Sequence, residues 1–182
     1  MPPSEDHAED IGALCSLDPL PAIDILLPSK EQFGPANAGA VSTVGHDLIT
    51  ASQTPHCFHV YGAPVDEPFE RVGFTGLAPR HAWLHGTNIG LANAYLNHLG
   101  GRPLPDLVEV HSRCQVASHI KAKRPELSVA LYLHNDPRDM KGSQTTAERK
   151  RLLHDMSAVI CVSDYIRGCF LDGLDVAAPQ AG

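Results

Sequence analysis

The sequence lacks the features that define membrane-spanning, secreted and nucleic-acid-binding proteins. No apolar run approaches the ~20 residues that a transmembrane helix requires. The first twenty residues contain five acidic residues and no Lys or Arg, a composition that argues against a secretory signal peptide. Only 14 Lys and Arg stand against 21 Asp and Glu, so no phosphate-tracking surface is expected. We therefore expect a cytoplasmic protein with no nucleic acid as partner.

Several chemical signatures are also missing. There is no G-x-G-x-x-G, no P-loop and no G-x-S-x-G, which argues against dinucleotide cofactors, P-loop chemistry and serine hydrolysis. The five cysteines form no C-x-x-C and are expected to be reduced and mostly buried. Two patterns have ligand-like spacing, His56-Cys57-x-His59 and His81-x-x-x-His85, but no further ligand motif completes them. Neither a bound metal nor a cofactor is predicted.

The 182 residues divide into a flexible acidic leader (1–21), one domain (22–174) and a short tail (175–182). Within the domain, strand-like and helix-like segments alternate. Strands are predicted at 23–27, 57–61, 69–75 (an edge strand), 106–110, 128–133 and 158–162. Helices are predicted at 38–51, 87–99, 115–123, from Thr145 onward and at 164–171. This alternation predicts an α/β fold, with a Rossmann-like parallel sheet and helices on both faces.

Some details of these helices are predicted as well. In the first helix, Val41, Val44, Leu48 and Ile49 have the spacing of one apolar face. Thr145 and Glu148 have the spacing of a capping box. Ser163 is placed to cap the last helix.

Ligands of open parallel sheets bind beyond the carboxyl ends of the strands, so polar residues that follow strands are the candidates for a site. After the first strand come Gly34, Asn37, Ala38 and Gly39, leading into a helix. Small residues allow close approach to the backbone, and the helix N-terminus offers N–H groups to an anion or a sugar hydroxyl. A simple turn with a helix cap is the alternative interpretation.

His134 follows a strand directly and is the candidate acid or base, with Asp136 as the carboxylate that orients it. Alternatively, Asn135 and Asp136 only begin a turn before Pro137.

Further candidates to bind substrate come from three loops. His111 and Arg113 would lie near His134 if their strands are neighbours, and Glu109 within that strand is either paired or at an edge. Arg138 and Lys141 could bind a phosphate or remain solvated. Ser163 is a candidate that could equally be only a cap.

The pattern "DLVEVH … VALYLHND … VICVS", together with "ILLPSKEQFGPANAGAVS", resembles the N-terminal domain of family 4 glycosyltransferases, which have the GT-B fold. The resemblance runs from about Ile23 to Leu174. It implies transfer of a sugar from a nucleotide-sugar donor to a glycan or lipid-linked acceptor, in cell-envelope polysaccharide synthesis. This setting implies a place at the inner face of the membrane, with at most peripheral membrane contact. It also implies that His134 lies at the transferred sugar, with Asn135 and Asp136 around it, and that residues 34–39 lie near the donor phosphates.

In that family a second, C-terminal domain binds the donor and carries two Glu residues separated by seven positions. No two Glu residues here have that spacing, and the sequence ends shortly after Leu174. The expectation is therefore a truncated transferase that is weak or inactive alone, because transfer requires both sugars in reacting geometry. Two alternatives are an acceptor-side subunit that works with a separate donor-domain chain, and a non-catalytic binding or interaction module.

Overall fold

In the computed structural model, the described residues are 20–80 and 82–175. Almost all of the predicted leader and tail therefore lies outside the described residues. The six strands are β1 (Ile23–Leu26), β2 (Phe58–Gly62), β3 (Gly73–Gly76), β4 (Leu107–His111), β5 (Val129–Leu133) and β6 (Ala158–Cys161). The α-helices are α1 (Ala40–Ala51), α2 (Ala82–His85), α3 (Thr87–His98), α4 (Cys114–Lys123), α5 (Thr146–Asp155) and α6 (Asp164–Leu171). None of them has the length and apolarity needed to cross a bilayer.

The six strands form one all-parallel sheet in the order β3-β2-β1-β4-β5-β6. The predicted α/β Rossmann-like fold is thereby confirmed, including β3 at an edge. The chain first builds outward from β1 to β3 and then resumes on the other side of β1 with β4. This reversal leaves a crevice between the connections that follow β1 and β4, at the carboxyl edge of the sheet.

The helices and strands predicted from the sequence are all present, but several of them begin or end at other residues than predicted. The third strand is shorter than predicted, because residues 69–72 form a turn that precedes Gly73. Helix α2 and the two 3₁₀ turns, Pro55–Cys57 and Pro137–Asp139, were not predicted. Each is four residues or shorter, so it contains too little periodicity to be recognised. The capping box at Thr145 and the Ser163 cap both form as predicted.

Two apolar cores lie on opposite faces of the sheet, since successive side chains of a strand alternate between faces. One joins α3, α4, α5 and α6 to alternate strand residues such as Val108 and Leu131. The smaller one joins α1 to Ile25 and Val60. Both faces of the sheet are therefore covered by helices, as a parallel sheet requires.

The predicted apolar face of α1 is confirmed only in part, because Ile49 is buried and Val41 packs against the smaller core, but Val44 and Leu48 do not. Val44 and Leu48 are 44% and 62% exposed, whereas the residues that α1 buries are Ser42, Gly45 and Ile49. Val44 and Leu48 were assigned to the buried face because their spacing from Val41 matches one face of a helix. Two small residues, Ser42 and Gly45, face inward beside Ile49, and the Ser42 hydroxyl donates to Glu31 of the preceding loop at 3.1 Å.

A buried arginine joins α5 to α6. Arg149 is 3% exposed, and its guanidinium donates to the carbonyl oxygens of Phe170 at 2.9 Å and Asp172 at 2.6 Å. It also donates to the carbonyl oxygens of Ser143 at 3.1 Å and Gln144 at 3.0 Å. One side chain thereby satisfies backbone oxygens from the loop before α5 and from the end of α6.

Candidate functional site

The carboxyl edge of β1, β4 and β5 carries most of the predicted site residues. We call this edge the rim, defined by residues 28–39, 111–113 and 134–141. Strands β1 and β4 are neighbours, as are β4 and β5, so their following loops meet there. The rim coincides with the point where the strand order reverses.

Two histidines form the centre of the rim. His111, the last residue of β4, and His134, just after β5, approach with Nδ1 and Nε2 3.0 Å apart. The ring of His111 is buried and stacks parallel on Tyr132, with ring centroids 4.7 Å apart. The expected proximity of His111 and His134 is thus confirmed, and its cause is the direct pairing of β4 with β5.

The position of Glu109 indicates which ring nitrogen of His111 and of His134 carries a proton. Its Oε2 lies 3.7 Å from Nε2 of His111, so Glu109 is paired with that ring, and burial, followed by the Glu109 charge, raises the pKa of the nearby Tyr132 hydroxyl. A carboxylate favours an N–H rather than a lone pair opposite it, which places the His111 proton on Nε2. Nδ1 of His111 then accepts from the Nε2–H of His134. With this tautomer Nδ1 of His134 is an acceptor, and none of the hydrogen bonds among residues 20–80 and 82–175 uses it.

His134 is held in its neutral form. Burial lowers the pKa of His134 below its ordinary value of 6.5, and His111 lowers it further. The negative charge of Glu31, on the loop after β1, acts in the opposite direction and raises the pKa of His134, but by less than burial and His111 lower it. A neutral imidazole at this edge can accept a hydrogen bond or a proton from a hydroxyl group.

The expectation that Asp136 orients His134 is wrong. Asp136 instead binds the guanidinium of Arg138, with Oδ2 2.7 Å from Nη2 and Oδ1 3.1 Å from Nε. It also accepts from the backbone N–H of Arg138, and these bonds lower the pKa of Asp136 to about 2. Arg138 further contacts Asp172. The pair therefore closes a turn, and neither charge is free for His134 or for a phosphate.

A glutamate occupies the helix terminus that was predicted to receive a ligand. Oε2 of Glu31 accepts from the Ser42 hydroxyl at 3.1 Å and from the Ser42 backbone N–H at 3.3 Å, in the first turn of α1. The same carboxylate covers Gly39, where an added Cβ would lie 2.2 Å from Oε2. An anion at this terminus would meet a carboxylate already in place, so the N–H of Ser42 is not the free donor that was expected.

Gly34 and Asn37 lie on the other side of the same loop. With Asp66 and Glu67 they line a cavity of about 350 Å³ between the loops after β1 and β2. Gly34 is buried, and a Cβ there would lie 2.2 Å from the carbonyl oxygen of Glu67, so glycine is required for packing. Ala38 pairs with Gln32 through a backbone bridge that shapes the turn. These residues hold the loop together, and two acidic side chains face their cavity.

A second cavity opens between the N-termini of α3 and α4. It measures about 500 Å³ and is lined by Lys30, Ser112, Arg113 and Lys141 among others. Ser112 turns the chain out of β4 with a φ of 52°. The Arg113 guanidinium donates to the Ser112 carbonyl oxygen at 2.7 Å. The structure thus brings Arg113 and Lys141 to one cavity and places Arg138 elsewhere.

The remaining candidates have simple surroundings. The Ser163 hydroxyl accepts from the Ile166 backbone N–H at 3.3 Å, which makes this residue the N-cap of α6. Asn135 is exposed in the turn after His134. Within 20–80 and 82–175 no three His, Cys, Asp or Glu side chains converge on one point, and the His81-x-x-x-His85 pattern lies partly outside the described residues. His59 instead hydrogen-bonds Thr75 of β3, with the two atoms 2.8 Å apart.

Four residues important to the rim were not identified from the sequence, although all lie in or beside the regions singled out there. Glu31, Lys30, Ser112 and Tyr132 owe their roles to cross-strand neighbours rather than to spacing. The one usable signal was their position after, or at the end of, a strand.

Comparison of the chain with protein-family models, with curated proteins and with solved structures finds no match. The class of the protein is therefore defined by its own structure: a Rossmann-like α/β domain with a paired-imidazole site at the carboxyl edge of its sheet.

Proposed function

We propose that this chain is a glycosyltransferase-type domain that holds the acceptor, a glycan or a lipid-linked sugar, during transfer from a nucleotide-sugar donor. The observation that carries the proposal is the His111–His134 pair at the rim. Glu109 is paired with His111, and the charge of Glu31 acts on His134. A sugar presents several hydroxyl groups that need directed acceptors. Nδ1 of His134 and the carboxylate of Glu31 supply acceptors on adjacent loops.

The arrangement favours positioning of a hydroxyl group over strong proton abstraction. His134 is neutral, so it can accept from a sugar hydroxyl without a charged imidazole repelling a developing positive charge at the sugar ring. Its own N–H is directed to His111 and is fixed in orientation by the Glu109 charge beyond it. A fixed tautomer lowers the entropic cost of orienting the acceptor.

The test is saccharide binding measured by saturation-transfer NMR, with glucose, galactose, mannose and N-acetylglucosamine as probes. We expect at least one sugar to bind with a millimolar dissociation constant, and we expect His134→Ala to abolish that binding. His154→Ala is the matched control, because His154 is exposed on α5 away from the rim. If no sugar binds, or if His134→Ala leaves binding unchanged, the proposal fails.

A second candidate is a subunit of a split transferase, in which a separate chain binds the donor. It is favoured by two exposed apolar side chains beside the rim, Val162 after β6 and Tyr165 at the start of α6. In a reconstituted pair, His134→Ala should abolish transfer and leave association intact. Val162→Ser with Tyr165→Ser should weaken the association itself. If His134→Ala leaves transfer intact, or if the double variant leaves association unchanged, this candidate fails.

A further inference from the structure

The cavity between α3 and α4 has a different character from the histidine pair beside it. Its wall contains the first residues of both helices: Gly86 and Thr87 before and in α3, Arg113 and Cys114 before and in α4. Both helices have ten or more residues, so each terminus carries partial positive charge from the aligned peptide dipoles.

Neither of these two helix termini is satisfied by the protein's own side chains. Helices α3 and α4 have no side-chain cap and no acidic residue in the first turn. By contrast, Glu31 covers α1, and Thr145 and Ser163 cap α5 and α6. Among the described helices of eight or more residues, α3 and α4 are the two whose first-turn backbone N–H groups have no side-chain acceptor, and both begin at this cavity.

Independent support comes from a buried hydroxyl group in the wall of the cavity. Ser112 is 3% exposed, and within the described part of the chain its Oγ has no hydrogen-bond partner. An unsatisfied buried hydroxyl is costly to the fold, on the order of 1–3 kcal/mol. A ligand oxygen in the cavity would remove that cost.

The charges around the cavity favour an anion. Lys30, Arg113 and Lys141 line it, and Asp139 is the one acidic side chain among its lining residues. The volume of about 500 Å³ lies within the roughly 300–1,000 Å³ typical of small-molecule sites, so the cavity holds more than an isolated anion.

We propose that this cavity binds the phosphate group of a small phosphorylated ligand, with Ser112, Lys30, Lys141 and the N-termini of α3 and α4 as its contacts. Two sources have this chemistry, a sugar phosphate and a nucleoside diphosphate. The proposal goes beyond sugar binding at His134, since it requires only an anion and does not depend on transfer.

The test is isothermal titration calorimetry at low ionic strength with inorganic phosphate, glucose 6-phosphate and uridine diphosphate as separate probes. We expect binding of at least one probe, weakened by added salt. The probe that binds more tightly than inorganic phosphate identifies the source. Lys141→Met and Ser112→Gly should each weaken binding about tenfold, because each removes a contact to a charged group.

Lys150→Met is the matched control, because Lys150 is an exposed lysine of α5 that does not line the cavity. Glycine at 112 also accepts the positive φ without strain, so loss of folding does not explain its effect. If none of the three probes binds, or if Lys141→Met and Ser112→Gly bind as the parent does, the proposal is overturned. His134→Ala should leave the affinity for inorganic phosphate unchanged. This outcome separates the result from the sugar-binding test, in which His134→Ala should abolish binding.

Discussion

The α5–α6 region and the end of β4 both contain buried polar groups, but the two regions differ in whether these groups have hydrogen-bond partners. Around α5 and α6, Arg149 has four carbonyl partners and Ser143 donates to the Pro137 carbonyl oxygen at 2.6 Å. At the end of β4, the Oγ of Ser112 is buried without a hydrogen-bond partner in the described residues, and Nε2 of His111 has only the Glu109 carboxylate, 3.7 Å away. Satisfied groups hold a fold together, whereas unsatisfied ones at a strand end point to a ligand.

The largest effect should come from breaking the satisfied region. Arg149→Met removes the donors of four carbonyl oxygens, several of them buried, so we expect the free energy of unfolding to fall by about 3 kcal/mol or more. Urea denaturation measures this loss. Arg151→Met, two positions along α5 and exposed, should change stability by less than about 0.5 kcal/mol. Equal losses in the two variants would show that the carbonyl network does not hold α6.

A smaller effect is expected when the hydroxyl groups of two buried serines, Ser143 and Ser112, are removed in turn. Ser143→Ala should cost about 1–2 kcal/mol, because its hydroxyl also accepts from the Cys114 thiol at 3.2 Å. Ser112→Ala should leave stability unchanged or raise it by up to about 1 kcal/mol, since a buried unpaired hydroxyl is removed. Both are read from the same denaturation curves. A loss at Ser112 that matches the loss at Ser143 would remove the contrast between the two regions.

The smallest effect concerns the pKa of His134 at the rim. Glu31→Gln removes the charge that raises the pKa of His134, so that pKa should fall further. Titration of the His134 ring signals by NMR measures it. Glu70→Gln, an exposed change before β3, serves as the control and should leave the titration unchanged. An unmoved His134 pKa in Glu31→Gln would place the two loops too far apart to share a site.

The lowered pKa of His134 has a consequence for stability. Below pH 6.5 the unfolded chain binds a proton at this residue before the folded chain does, so the free energy of unfolding falls as the pH drops toward the folded pKa. His134→Asn should remove this part of the acid sensitivity. Above the ordinary pKa of histidine, the difference in free energy of unfolding between the two proteins should no longer change with pH, which urea denaturation at a series of pH values measures.

The sequence predicted the architecture well because the signal is repeated along the chain. Short apolar runs such as β5 alternate with helices whose ends are marked by Thr145, Ser163 or Pro125, and six such units leave few other folds possible. The contents of the rim were predicted less well. His111 and His134 were paired correctly through strand adjacency, but Asp136 was assigned to His134 and in fact binds Arg138.

What the sequence alone determined is thus the alternation of elements, the parallel sheet and the edge at which polar residues collect. These follow from periodicity and capping, which act between residues close along the chain. Only the tertiary structure decided that Glu31 covers the start of α1, that Val44 and Leu48 face outward and that Ser112 lacks a partner. Each of these depends on which groups distant in sequence lie next to one another, and those neighbours exist only once the strands are side by side.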